Sequence, residues 1–263
     1  ESLKESGETQ IAKTDPDCKK MRTGHQGIDM CYNVQISVDS KHKLIVAHDV
    51  TSEANDLNQL APMAEQSKEI LEVETLNLTA DKGYFNEEHI AECEGNNIKC
   101  YIPIPDYSRN KSKGLFTYKD FNYDQKNDFY ECPGKEKLLP TIKVTKHDKP
   151  TVIYRTKACT TCKLKSKCTT SKEGRRIYRN NHKEIIETMQ KRMKENPTIS
   201  GQRKSIVEHP FGTLKHTMEH GYFLMRGKKK VSAEMSMSVL TYNMKRVMNI
   251  VGITTLLTIL KNF

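Results

Sequence analysis

From Tyr32 to Ile104 the chain switches repeatedly between two hydrophobic periods, and this switching constrains its fold more than any other feature. Residues 32–38 (Tyr-Asn-Val-Gln-Ile-Ser-Val) are apolar at alternate positions, the period of a half-buried strand. Residues 44–50 read as a second strand after the polar turn 39–42, which predicts a hairpin. Asn55 and Asp56 are capping residues, and Leu60, Met63, Ala64 and Ser67 follow at helical spacing, which predicts a helix over 57–72. A third strand is expected at 75–80, ending at Asp81, then a short helix at 86–94. A fourth strand is expected at 99–104, closed by Pro103 and Pro105. The order β-β-α-β-α-β implies an α/β fold, a mixed sheet with helices on its faces.

Residues 106–180 break this rhythm. They are polar, dotted with aromatics and rich in lysine, and they hold four of the eight cysteines. An inserted basic, cysteine-bearing subdomain of hairpins and loops is expected there. Helical patterning returns over 181–195, stops at Asn196-Pro197 and resumes over 200–219. A last helix is expected over 232–250, with Met235, Val239, Tyr242 and Val247 apolar. Met235, Met237, Met244 and Met248 are expected to pack in the core. The plan is therefore a first part at 1–105, an insertion at 106–180 and C-terminal helices at 181–263.

The charge divides along the same plan. Residues 1–131 carry 15 Lys+Arg against 24 Asp+Glu, residues 132–180 carry 14 against 3, and residues 181–263 carry 14 against 6. An acidic N-terminal half is thus joined to a polycation, which points to a polyanion partner, most simply nucleic acid. With 36% hydrophobic and 29% charged residues, the chain is neither collagenous nor low-complexity. The weakly polar run 247–260 is shorter than the roughly 20 residues that span a bilayer, so no membrane partner is expected. Residues 1–6 lack the basic and apolar regions of a signal peptide, and no initiator Met is present, so a fragment is expected. Eight cysteines without a secretion signal suggest reduced thiols or a metal site.

Two acids stand out. Asp81 ends an apolar strand and precedes Lys82-Gly83-Tyr84. Ligands of open sheets with parallel strands sit at strand C-termini, and a carboxylate held there can bind a hard cation; a turn or helix-cap Asp is the alternative. Glu208 follows Ile206 and Val207 and precedes Phe211 and Leu214, which predicts a place near the apolar face of its helix. A carboxylate there needs a partner or a metal; a salt-bridged surface Glu is the alternative. Lys204 and Lys215 are expected on roughly the same face, and Pro210 is expected to bend the helix.

Four segments together carry a resemblance. They are Tyr32-Asn33-Val34-Gln35-Ile36-Ser37-Val38-Asp39, Ala80-Asp81-Lys82-Gly83-Tyr84-Phe85, Val207-Glu208-His209-Pro210-Phe211-Gly212-Thr213-Leu214-Lys215 and Leu240-Thr241-Tyr242-Asn243-Met244-Lys245-Arg246. In this order they resemble the catalytic region of DDE-type bacterial insertion-sequence transposases. The resemblance runs from about Thr14 to Gly252 and implies a ribonuclease-H-like fold. It implies that Asp81 and Glu208 are the second and third acids of a triad holding two divalent cations, Mg²⁺ or Mn²⁺. Such a site cuts transposon ends and joins a 3′-OH to target DNA. It implies double-stranded DNA as partner, a homodimer as the active form, and a cytoplasmic protein associated with the bacterial nucleoid on DNA. Lys204 and Lys215 would then contact phosphates. The first acid of that family lies on the central strand in an Asp-Gly-Thr context, which this sequence lacks. Asp15 and Asp17 sit in a turn-like Asp-Pro-Asp, and Asp39 ends a later strand. The first strand and first acid are therefore expected upstream of Glu1, leaving the chain inactive alone. A catalytically incomplete DNA-binding remnant and a ribonuclease-H-like nuclease are the alternative readings.

The cysteines of the insertion form Cys159-x₂-Cys162-x₅-Cys168, with Cys132 27 positions before Cys159. Four thiolates could close a tetrahedral structural Zn²⁺ site; four free cysteines are the alternative. Cysteine-bearing insertions before the glutamate helix also occur in a branch of these transposases. Cys18, Cys31, Cys93 and Cys100 have no ligand spacing. Tyr154, Arg155, Arg175, Arg176, Tyr178 and Arg179 mix cations with aromatics, which suits backbone tracking and base stacking on DNA, or a solvated surface.

Overall fold

The computed structural model describes residues 11–23, 27–105, 109–146, 149–217 and 222–261 of a mixed α/β protein. The chain divides into two compact units, one of Glu1–Pro103 with Thr188–Phe263 and one of Ile104–Glu187. Strand β1 (Lys19–Thr23) pairs antiparallel with β2 (Gly27–Cys31). Strands β3 (Asn33–Val38) and β4 (Ile45–Thr51) form the expected hairpin, with Val34 opposite Val50 and Gln35 opposite Asp49. Helix α1 (Leu60–Ile70) buries Leu60, Ala61, Met63, Ala64 and Ser67. Strand β5 (Leu76–Thr79) leads into a 3₁₀ turn at Lys82–Tyr84. Helix α2 (Glu87–Gly95), capped by the Asn86 side chain, then returns the chain to β6 (Ile98–Tyr101), parallel to β5.

Two expectations are corrected here. The first helix begins at Leu60 rather than Leu57. Asp56 does not cap it, because its Oδ1 accepts hydrogen bonds from the Asn33 and Gln35 side chains, both at 2.8 Å. Nor do the four strands make one mixed sheet among the described residues. The β3–β4 and β5–β6 pairs are separate two-stranded sheets.

The second unit holds α3 (Arg109–Ser112) and a five-stranded antiparallel meander. Its strands are β7 (Asn122–Asp124), β8 (Phe129–Glu131), β9 (Lys137–Lys146), β10 (Lys149–Arg155) and β11 (Ile177–Asn180), in the order β11-β10-β9-β8-β7. A single turn of helix, α4 (Lys165–Cys168), lies between β10 and β11. The hairpins of the insertion thus join into one sheet. Its core is Phe121, Tyr130, Leu138, Tyr154 and Ile177, with Cys132 and Cys168 packed against it. This core carries hydroxyls and a charge. Arg179 forks onto both oxygens of Glu187, at 2.8 and 2.9 Å, and also donates to the Tyr130 hydroxyl.

Helix α5 (Lys183–Glu195) ends at Asn196, and α6 (Pro197–Gly212) starts at once, three residues earlier than expected. Pro197 fits because the first helical position needs no N–H donor. Past Pro210 the helix widens into a π turn at Thr213–Thr217, where Thr213 donates to the His209 carbonyl. The expected helix end at Glu219 lies outside the described residues. Helix α7 (Lys228–Val251) packs Val231, Met235, Val239 and Tyr242 on Ile45 and Val50 of the β4 strand. Met237 and Met244 are exposed, a correction to the expected methionine core. Two residues along a helix turn the side chain about 200°, so Met237 cannot share the Met235 face. Gly252 separates α7 from α8 (Ile253–Lys261), which sequence periodicity did not predict.

The Asp-Pro-Asp turn has a structural task. Asp15 accepts hydrogen bonds from the Gly227 N–H and the Tyr32 hydroxyl, and Asp17 accepts from the Lys228 N–H. Both carboxylates thereby satisfy donors at the N-terminus of α7, where negative charge is favoured. Burial opposes ionisation of Asp15, but these donors outweigh it and hold its pKa below the ordinary value of 3.8. Near the end of α5, within the first unit, Arg192 clamps Glu94 through two contacts of 2.6 and 2.8 Å and donates to the Cys100 carbonyl. Among the described residues no helix is long and apolar enough to cross a membrane.

Candidate active site

Asp81 stands one residue beyond the end of the parallel strand β5's last neighbour, Ala80, and opens the 3₁₀ turn. Its Oδ1 accepts the Gly83 N–H at 2.6 Å, which fixes the carboxylate against the turn. A side chain at 83 would push the Asp81 carboxylate aside. A Cβ there would come within 2.9 Å of Asp81 Oδ1 and 3.5 Å of Asp56 Oδ2. Asp56 and Asp81 therefore both stand beside the same glycine.

A buried amide holds this pair in register. Gln35 on β3 is 1% exposed. Its Nε2 donates to Asp56, and its Oε1 accepts the hydroxyl of Tyr84, the last residue of the Asp81 turn. Burial, then the charges of Asp56 and Asp81, push the Tyr84 hydroxyl pKa far up, so it stays a donor. Asp56 is the residue that sequence reasoning missed; its capping signal pointed to the helix instead.

Helix α6 lies on β3 and β5 and contributes Arg203, whose Nη1 is 4.0 Å from Asp81 Oδ2. Glu208 is five residues further along the same helix, roughly 7–8 Å along its axis. Its expected place near the apolar face is corrected. The buried stripe is Ile206, Pro210 and Leu214, at fourfold spacing, so Glu208 falls off it and is exposed. Its neighbour His209 contacts the Tyr242 hydroxyl at 3.0 Å, and that hydroxyl donates to the Lys43 carbonyl. Among the described residues no hydrogen bond or ion pair joins Glu208 to Asp81. No group of three or more His, Cys, Asp or Glu stands there as a ready-made metal site. The donor set still suits a hard cation. The Asp81 and Asp56 carboxylates both approach Gly83, with Arg203 at 4.0 Å from Asp81 and the exposed Lys82 in the turn itself.

The basic residues fall in different settings. Lys215 is exposed in the π turn, with its ammonium 5.5 Å from the Phe211 ring centre. The side chain of Lys204 lies outside the described residues. Arg176 is at the surface, paired with Glu173. Arg175 turns inward over the Phe121 ring, at 5.3 Å. Arg179 is spent on Glu187 and Tyr130 and stacks on Tyr123 at 3.7 Å.

All four cysteines of the second unit line one small cavity of about 20 Å³, together with Gly134 and Arg175. All eight cysteines are free thiols. Burial raises the Cys168 thiol pKa, and Arg175 pulls against it.

Residues 131–248 match a family model described as a transposase DDE domain. This match supports a DDE-type transposase. No curated protein matches the chain, and no solved structure does. The transposase match takes in all four cysteines of that cavity, α5, α6 with Glu208, Lys215 and nearly all of α7. Asp81 and Asp56 lie before it in the chain, on elements that α6 touches directly or through β3.

Proposed function

We propose that the protein is a DNA transposase whose ribonuclease-H-like domain supplies Asp81 and Glu208 as two of its metal-holding carboxylates. The observation that carries this reading is the transposase DDE match over the stretch containing Glu208, on a helix that also reaches Asp81 through Arg203. The antiparallel pair β3–β4 and the parallel pair β5–β6 resemble the two flanks of a ribonuclease-H-like sheet. A strand between β3 and β5 would complete that sheet and bring a further acid beside Asp81.

When bound, divalent cations such as Mg²⁺ would activate the attacking oxygen and neutralise charge at phosphorus. Asp81 and Glu208 would hold them, since hard cations take oxygen ligands. Gly83 and the Gln35–Tyr84 pair keep the Asp81 carboxylate oriented, and Asp56 adds negative potential beside it. Arg203 limits the repulsion between these acids before a cation arrives. Lys215 and Arg176 are the exposed cations offered to DNA phosphates, which fix register without reading sequence. The working form on DNA is a homodimer.

Strand transfer from a pre-cleaved 3′-OH end is the test. In protein that carries the completing strand and its acid, Asp81→Asn and Glu208→Gln are each expected to lower metal-dependent joining by about a thousandfold or more, with DNA affinity retained. Manganese binding read by paramagnetic resonance gives a second measure, expected to weaken in both variants. A Glu208→Gln protein that joins ends and binds Mn²⁺ like the unaltered one would overturn the assignment.

A further inference from the structure

The cysteine cavity of the second unit carries an inference of its own, independent of the transposase reading. Cys132, Cys159, Cys162 and Cys168 come from three separate places in the chain, yet all four reach one cavity. Its volume of about 20 Å³ suits a single water-sized occupant. Two of the cysteines each open a tight turn, with the Lys135 N–H donating to the Cys132 carbonyl and the Lys165 N–H to the Cys162 carbonyl. Such turns aim the Cys side chain and the following backbone at one point.

Two glycines stand beside the sulfurs, and one of them, Gly174, is needed for their approach. A Cβ on Gly134 would lie 3.6 Å from the Cys132 sulfur and 3.7 Å from the Cys162 sulfur. A Cβ on Gly174 would collide with Cys159, at 2.5 Å from its Cβ and 3.0 Å from its sulfur. Gly174 also has φ +93°, a conformation that disfavours any side chain.

The remaining observation concerns charge. Arg175 lines the same cavity, and its Nε is buried without a hydrogen-bond partner among the described residues. An orphaned buried donor on a cation is costly in an apolar wall. It becomes favourable if the sulfurs it faces are thiolates. Four neutral thiols would give it little, whereas a Zn²⁺ bound by four thiolates has a net charge of −2 and needs nearby cations. The four sulfurs line the cavity without forming a ready-made metal group among the described residues, so binding would draw them together.

We propose that Cys132, Cys159, Cys162 and Cys168 bind one structural Zn²⁺ as a tetrathiolate, with Arg175 as the cation that offsets its charge and donates its buried Nε–H to a thiolate. Binding releases the thiol protons, so uptake weakens as pH falls. The small core of this unit, rich in tyrosine hydroxyls, then gains a cross-link between β8, the loop after β10 and α4.

Elemental analysis of the full chain, purified without chelator, tests the site. One zinc per chain is expected, and Co²⁺ exchange should give tetrahedral d–d bands with a strong thiolate-to-cobalt charge-transfer band. Cys162→Ser and Cys168→Ser should each lose the stoichiometric metal. Asp81→Asn should keep it, which separates this site from the acidic one. Arg175→Leu should retain one zinc but bind it about 10- to 100-fold more weakly in a chelator competition. Protein without zinc that takes up no Co²⁺, or zinc that survives both serine substitutions, would overturn the proposal.

Discussion

The two units secure polar groups in opposite ways. In the unit built on β3, β4 and α7, the core is aliphatic, and the carboxylates sit at its margin with named donors: Asn33 and Gln35 for Asp56, Gly83 for Asp81, and the α7 N-terminus for Asp15 and Asp17. In the unit built on the meander, polar groups lie inside the core itself. Tyr118, Tyr123, Tyr130 and Tyr154 form one cluster of contacting rings, Arg179 lies over Tyr123, and the Nε of half-buried Arg175 is buried beside four sulfurs. A large unit can spend its polar side chains at an edge where chemistry is wanted. A small sheet with few aliphatic residues has to build its interior from whatever it has, and every buried donor then needs an acceptor.

Substitutions can break or sharpen this contrast. The largest effect is expected from Gly174→Ala, where a Cβ meets Cys159 in a backbone conformation that resists it. A loss of about 3 kcal/mol is expected, read as faster hydrogen exchange in peptides from 104–187. Unchanged exchange there would show that the cysteine wall yields freely. Next comes Arg192→Ala, which strands Glu94 at a site where both side chains are 17% exposed. A cost of about 2 kcal/mol is expected in the first unit by denaturant titration.

Asp15→Asn ranks third, at about 1 kcal/mol, because it weakens one cap of a long helix. Its pH signature is specific. The folded-state pKa of Asp15 is depressed, so its ionised form stabilises the fold above the unfolded value near 3.8, and that stability is lost as pH falls through the lower folded value. The Asn variant should therefore lose least at acid pH, and an equal loss at pH 3 and pH 7 would remove the assigned role. The smallest effect belongs to Arg176→Ala. Its exposed pair with Glu173 should change stability by less than about 0.5 kcal/mol, while the salt dependence of DNA affinity falls by about one phosphate contact. An unaltered salt slope would exclude Arg176 from the DNA face.

The β3–β4 hairpin, strand β5, helix α2 and helix α5 were legible because their period is set by local burial. The start of α1 was not. Asp56 looks like a cap from its neighbours, but its partners Asn33 and Gln35 are 23 and 21 residues away. The same distance hid its place beside Asp81. The exposure of Glu208 was misread because Val207 and Phe211 lie on the flank of the stripe that Ile206, Pro210 and Leu214 define. Helix α8 escaped because four exposed apolar side chains on a short segment resemble a loose tail more than an amphipathic helix. The convergence of Cys132 with the other three depends on the β8–β9 turn, which spacing alone could only suggest.

The latch between Asp15, Asp17 and the start of α7 also has a bearing on biosynthesis. Its partners are 212 and 211 residues apart in the chain. At about 5–20 residues per second, a ribosome needs on the order of ten seconds or more to deliver α7 after the turn that caps it. Throughout that interval the hydrophobic side of the β3–β4 hairpin waits uncovered, while the continuous segment 104–187 already has every strand it requires. The continuous middle segment is thus fully synthesised before the N-terminal hairpin can gain its α7 cover.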